Sequence, residues 1–170
     1  MIIDLANVGT TARVIELTFD SAEIDLEGES VTLSGEVIFS GEIERVDAKG
    51  NLRGTIKTDA SLNCTRCLEP IAKHFEFPFR AIFVELSDEN TNAEAEVSND
   101  ALDESLVESG RIDMAEVVRE QILLAVPAQI FCREDCKGLC PKCGTSLNLI
   151  DCKCADDEID PRWAALKNLK

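Results

Sequence analysis

One histidine in 170 residues and no glycine-rich phosphate loop leave little for catalysis. His74 has no Ser and Asp partners in view that would make a nucleophilic set, and the plentiful carboxylates show no acid and base pair. Long apolar runs are also missing: Ile122 to Val126 is far too short to span a bilayer. The opening residues, Met1 to Asn7, lack the basic and then apolar segments of a signal peptide, so the reducing cytoplasm is the expected location. Positive charge is scarce as well. Lys and Arg number 17 against 33 Asp and Glu, a formal charge of -16. Such a surface repels nucleic-acid phosphates and suits a basic protein partner, when it does more than keep the chain soluble.

Cysteine, by contrast, is abundant and paired. The eight thiols are Cys64 and Cys67, Cys132 and Cys136, Cys140 and Cys143, and Cys152 and Cys154. Two pairs have C-x-x-C spacing, which lets a tight turn aim two sulfurs at one point. Zinc prefers four such ligands placed tetrahedrally, so eight thiols complete two closed sites with none left over. A closed site leaves no position for water or substrate and points to structure rather than catalysis. Disulfides belong to short secreted chains, and a thioredoxin-like motif needs a strand-to-helix junction that neither C-x-x-C has. By proximity in sequence, Cys140, Cys143, Cys152 and Cys154 would hold one ion. Cys64 and Cys67 would join Cys132 and Cys136 around the other, clipping a hairpin tip to a later segment. Two such ions would take the formal charge to about -20, because eight thiolates outweigh two divalent cations.

The N-terminal half reads as β structure. Ile15, Leu17 and Phe19 alternate with polar residues, and Val31, Leu33, Val37 and Phe39 share one parity across an interruption at Gly35. Ser40-Gly41 and Lys49-Gly50 read as turns around a strand near residues 42–47. A strand from Leu52 to about Leu62 follows. The next alternates Phe75, Phe77, Phe79, Ala81 and Phe83 with Glu76, Pro78, Arg80 and Ile82, and Pro78 predicts an edge or bulge. Phe at period two is the pattern of a core rather than of a base-stacking platform. Between these strands Cys64 to Pro70 forms a hairpin tip bent into a knuckle, with His74 on the solvent parity.

Residues 85–120 carry twelve acidic residues against Arg111 and Arg119. Residues 87–103 are polar and nonperiodic, an acidic loop that serves as a solvated linker or as a grip for a basic protein. A helix follows, capped by Asp113 with Glu116 in capping-box position. Its apolar face holds Met114, Val117, Val118, Ile122 and Ala125, and Pro127 ends it. In the tail, Cys140-Pro-Lys-Cys143-Gly144 has the form of a zinc-ribbon knuckle, with Pro141 fixing the turn and Gly144 free to take positive φ. Only eight residues separate Cys143 from Cys152, which predicts a compact irregular site. Arg133, Lys137, Lys142 and Lys153 interleave with these cysteines and form the one candidate nucleic-acid patch. Asp160 and Pro161 predict the start of a terminal helix docked by Trp163, Leu166 and Leu169.

Cys64-Thr-Arg-Cys67-Leu-Glu-Pro70, Leu124-Ala-Val-Pro127, Cys136-Lys-Gly-Leu-Cys140-Pro-Lys-Cys143-Gly144 with Leu147-Asn148, and Asp160-Pro161-Arg162 with Leu166-Lys167 together resemble the YceD family. That family is described as the large ribosomal RNA subunit accumulation protein. The resemblance implies a small bacterial cytoplasmic protein, with plastid relatives, tied to accumulation or processing of large-subunit ribosomal RNA. It carries over no catalytic residues, and some relatives lack the cysteines, which implies metal as a stabilising device.

The expected fold class is therefore α+β. An antiparallel β-rich part with one packed helix (residues 1–126) precedes a compact zinc-knuckle segment ending in a short helix (residues 127–170). The expected function is a non-enzymatic ribosome biogenesis factor with two structural zinc ions, working on a ribosomal protein or pre-ribosomal particle. The competing readings are a cytoplasmic thiol-based redox or zinc sensor and, further off, a metal-dependent nuclease using the acidic loop.

Overall fold

A computed structural model describes residues 1–26, 31–86, 104–154 and Arg162. Among these residues there are eight strands: β1 (Ile2–Asp4), β2 (Arg13–Phe19), β3 (Val31–Leu33), β4 (Val37–Val46), β5 (Lys49–Asn63), β6 (Pro70–Glu85), β7 (Glu104–Val107) and β8 (Arg111–Asp113). An α-helix, α1 (Met114–Ala125), follows them. The class is α+β, as the alternating strands and single periodic helix predict. The main sheet runs β2-β4-β5-β6-β7 with β3 also on β5, and β1 pairs β8 in a small second sheet. All pairings are antiparallel except β6 with β7, which is parallel.

The hydrophobic parity of each strand turns one face of the sheet inward. Phe39, Ile43, Leu52 and Ile56 are at most 1% exposed, and Phe75, Phe79 and Phe83 lie beside them. Each such side chain contributes about 1.5–3 kcal/mol by leaving water. From α1, Met114, Val117, Val118 and Ile122 join the same core. Asp113 caps the helix by accepting from the Ala115 amide at 3.0 Å. Glu116 bonds Arg119 at 3.3 Å, so the reciprocal half of a capping box is not made.

Strands β3 and β4 lie end to end along β5. The register passes from Leu33 opposite Ala60 to Ile38 opposite Lys57, so the interruption around Gly35 inserts two extra residues on their side. An even insertion preserves parity, which is why Val31, Leu33, Val37 and Phe39 keep a common face. Pro78 sits opposite Thr55, where β6 has no second strand neighbour among the described residues. Its missing amide proton costs no ladder bond there.

Two turn assignments are corrected. Ser40 and Gly41 continue β4, opposite Thr55 and Gly54. A Cβ on Gly41 would lie 2.6 Å from the Phe39 ring, and one on Gly54 2.4 Å from it. The two glycines make room for Phe39 over the sheet instead of turning the chain. The reversal between β4 and β5 falls on Asp47 and Ala48, with φ of 50° and 66°, two residues before the expected Lys49-Gly50. Gly50 is needed inside β5, where a Cβ would strike Leu5 at 2.3 Å. The acidic loop (87–103) and the terminal helix from Asp160 lie outside the described residues, apart from Arg162.

Candidate metal centres

The first cysteine pair forms where the β5–β6 hairpin runs out of ladder. Asn63 opposite Pro70 is the last rung. Beyond it the Cys64 amide donates to the Glu69 carbonyl at 2.8 Å, and the Leu68 amide to the Cys64 carbonyl at 2.9 Å. Leu68 takes the left-handed conformation, φ 62°, to close this knuckle. Across from it, the segment after α1 is tied by the Thr65 amide and hydroxyl, which both donate to the Ile130 carbonyl at 2.8 and 3.0 Å. Cys132 and Cys136 are thereby carried to the hairpin tip.

The second set is local. The Cys140 amide donates to Thr145 at 2.8 Å and the Gly144 amide to Cys140 at 2.9 Å, with Gly144 at φ 71° as its sequence context predicts. Cys152 and Cys154 return to this knuckle, and the Cys154 amide folds back on the Cys152 sulfur at 3.3 Å.

Within each set, Cys64, Cys67, Cys132 and Cys136 or Cys140, Cys143, Cys152 and Cys154, all four sulfurs lie within 4.8 Å of one another. A tetrahedral ion with bonds of about 2.3 Å requires sulfur separations of about 3.8 Å. Cys64 and Cys136 are 3.8 Å apart, and Cys67 and Cys132 are 3.6 Å apart. Cys152 stands 3.4 Å from both Cys143 and Cys140. All eight cysteines are free, and these separations far exceed the roughly 2.05 Å of a sulfur–sulfur bond. Each set could hold one metal ion. His74 is elsewhere, exposed and 2.8 Å from Asp59.

Four thiols this close cannot all ionise without a cation, and their acidities split accordingly. At Cys64, burial resists ionisation, but amides of Cys67, Cys132 and Arg66 outweigh it and lower the thiol to about 6. At Cys67, the Glu69 amide favours the thiolate, yet burial and the neighbouring Cys64, Cys132 and Cys136 push it up to about 12. In the second set the Thr145 hydroxyl and amide lower Cys143 to about 6. Cys152 and Cys143 push Cys154 up to about 12. A divalent cation that replaces the thiol protons relieves this conflict in both sets.

Two residues outside the ligand pattern tie this region together. Asn148, in the second knuckle's loop, donates to the Cys136 sulfur at 3.3 Å and accepts from the Lys137 amide at 2.8 Å. Arg66 donates to the Cys136 carbonyl at 2.9 Å and the Glu134 carbonyl at 3.3 Å, with its guanidinium 4.0 Å above the Phe131 ring. Its backbone carbonyl presses on Gly138, where a Cβ would lie 3.0 Å away and φ is 76°. Neither role is legible from cysteine spacing. Arg133, Lys137, Lys142 and Lys153 are exposed around the two sets, and Arg133 is paired with Asp135 at 3.4 Å.

A family model described as "Large ribosomal RNA subunit accumulation protein YceD" matches residues 52–170. An uncharacterized protein of Mycobacterium tuberculosis is 27% identical over 98% of the chain and 79% of its own length. The uncharacterized protein YlbN of Bacillus subtilis is 33% identical over 68% of the chain and 63% of its own length. A chloroplastic Arabidopsis thaliana protein, named large ribosomal RNA subunit accumulation protein YCED homolog 1, is 26% identical over 98% of the chain and 56% of its own length. No solved structure matches.

Proposed function

Because the chain belongs to the large ribosomal RNA subunit accumulation protein YceD family, we propose that it is a non-enzymatic ribosome biogenesis factor with two structural zinc ions. The family match carries this reading, since it spans the β5–β6 hairpin, α1 and all eight cysteines. Zinc is the choice because four thiolates at tetrahedral spacing satisfy it completely and leave no open position for chemistry. The first ion would pin the tail (127–170) to the β-rich part (1–126), the second would brace the tail itself, and together they would present Arg133, Lys137, Lys142 and Lys153 around a rigid surface. The partner is a ribosomal protein or pre-ribosomal particle in the cytoplasm. A charge of -16 disfavours free RNA and favours a basic protein. Among the described residues no helix is long and apolar enough to cross a membrane.

Depletion of the protein tests the role. Large-subunit ribosomal RNA should fall relative to small-subunit RNA and recover with the wild-type gene. An unchanged ratio would remove this reading. A second reading, a thiol-based redox or zinc sensor, draws on the exposure of Cys143 and Cys154. It requires mild oxidant to expel the second ion and to change binding to ribosomal particles, whereas a purely structural site keeps its partner until the fold opens.

A further inference from the structure

The main sheet ends at β2, and the small sheet ends at β1. Each strand has a partner on one side only among the described residues. Between them runs a groove of about 510 Å³. It is lined by consecutive residues of both strands, Met1 to Asp4 and Arg13 to Leu17. A strand face would contribute alternate residues, so consecutive ones mean that the backbone edges themselves border the groove. Ile15 and Ile43 form part of a buried apolar floor, while Val14 is 71% and Ile2 50% exposed at the rim.

Edge strands are normally blunted by proline, lysine or a bulge. Strand β2 carries exposed charges at Arg13 and Glu16 but no proline or lysine, and its register with β4 runs unbroken from Arg13 to Phe19. Half of its amides and carbonyls therefore point away from β4 with a regular spacing, which is a template for another strand. A strand residue occupies roughly 160 Å³ from its rise, strand spacing and sheet spacing, so the groove accommodates about three residues of extended chain.

We propose that this groove captures an extended segment of a basic protein by strand addition to β2 and β1. Charge selects the occupant. Among the charged side chains that line the groove, Asp4 and Glu16 outnumber Arg13; Asp20 and Glu23 follow β2, and the whole chain carries -16. A second copy would bring the same charge and be repelled, whereas a lysine-bearing segment is attracted. The inference stands on the groove's geometry and charge, and it deepens the ribosome reading only by giving a basic partner a place to dock.

The test titrates the full chain with a short blocked peptide alternating lysine and valine, followed by amide chemical shifts. Shifts should concentrate in residues 2–4 and 13–19 and fade at high salt. N-methylation of alternate peptide residues should abolish binding, since it removes the donors a strand needs. Glu16→Lys should weaken binding roughly tenfold and Arg13→Glu should strengthen it, both at exposed positions. Three results would overturn the proposal: shifts centred elsewhere, binding indifferent to N-methylation, or self-association through β2 that the peptide cannot compete with. The peptide experiment decides the groove whatever the depletion experiment returns, so the two failures are distinguishable.

Discussion

The first cysteine set is enclosed by the fold, while the second stands on its surface, although both gather four sulfurs within 4.8 Å. Cys64, Cys67 and Cys136 are 0%, 5% and 4% exposed, and only Cys132 reaches solvent. In the second set Cys140 is buried, Cys152 is intermediate, and Cys143 and Cys154 are exposed. Sequence distance differs as strongly. The first set joins residues 64 and 136 across β6, the acidic stretch and α1, whereas the second closes within residues 140–154. Closing a long loop removes more freedom from the unfolded chain, although the dependence is only logarithmic. Burial adds to the contrast, because enclosed ligands exchange slowly and open ones do not. A metal ion held by four thiolates would thus be an anchor in one place and a local brace in the other.

Breaking the anchor should have the largest effect. Cys64→Ser is expected to release the first ion and lower the thermal midpoint by on the order of 10 °C, with the hairpin tip and residues 130–136 losing amide protection together. Calorimetry and hydrogen exchange read this. Cys143→Ser should release the second ion alone and move the midpoint by no more than about 3 °C. Equal effects from the two variants would erase the distinction between anchor and brace.

Asn148 sharpens the comparison by testing whether the sets are independent. Asn148→Ala removes the bonds to Cys136 and Lys137, at a cost of about 1 kcal/mol. The first ion should then yield to chelator faster although its four ligands are intact. An unchanged release rate would make the sets independent.

The smallest effect concerns the metal-free reduced chain. With Cys143 lowered to about 6 and Cys154 pushed up to about 12, alkylation should reach Cys143 several-fold faster near neutral pH. The sign is fixed by linkage. A depressed thiol contributes stability above the ordinary value near 9 and loses it as pH falls through about 6. Mass spectrometry of partly alkylated protein should show Cys143 reactivity dropping below that lower value.

Much of this was legible because it depends on period and spacing. The Phe75 to Phe83 alternation placed the core of β6, and the paired cysteines divided into the two sets that the structure brings together. Glycine misled where it serves packing: Ser40-Gly41 looks like a turn, but Gly41 and Gly54 exist to admit the Phe39 ring. Strands β1 and β8 escaped notice because three residues carry no period, and their pairing joins segments over a hundred residues apart. Strand β7 was hidden in the acidic stretch, where Lys49 pairs with Glu104 from the end of a distant hairpin. Arg66 and Asn148 act through backbone carbonyls and a sulfur across the fold, and no local pattern announces such contacts.

Native mass spectrometry of the reduced chain during stepwise chelation tests the central claim most directly, when combined with hydrogen exchange at each step. Two zinc ions per chain should be present. One should leave early with loosening confined to residues 140–154, and the other late, while the sheet built on Phe75, Phe79 and Phe83 keeps its protection. One ion or none at the outset, or loss of both in a single step with collapse of the sheet, would contradict the account.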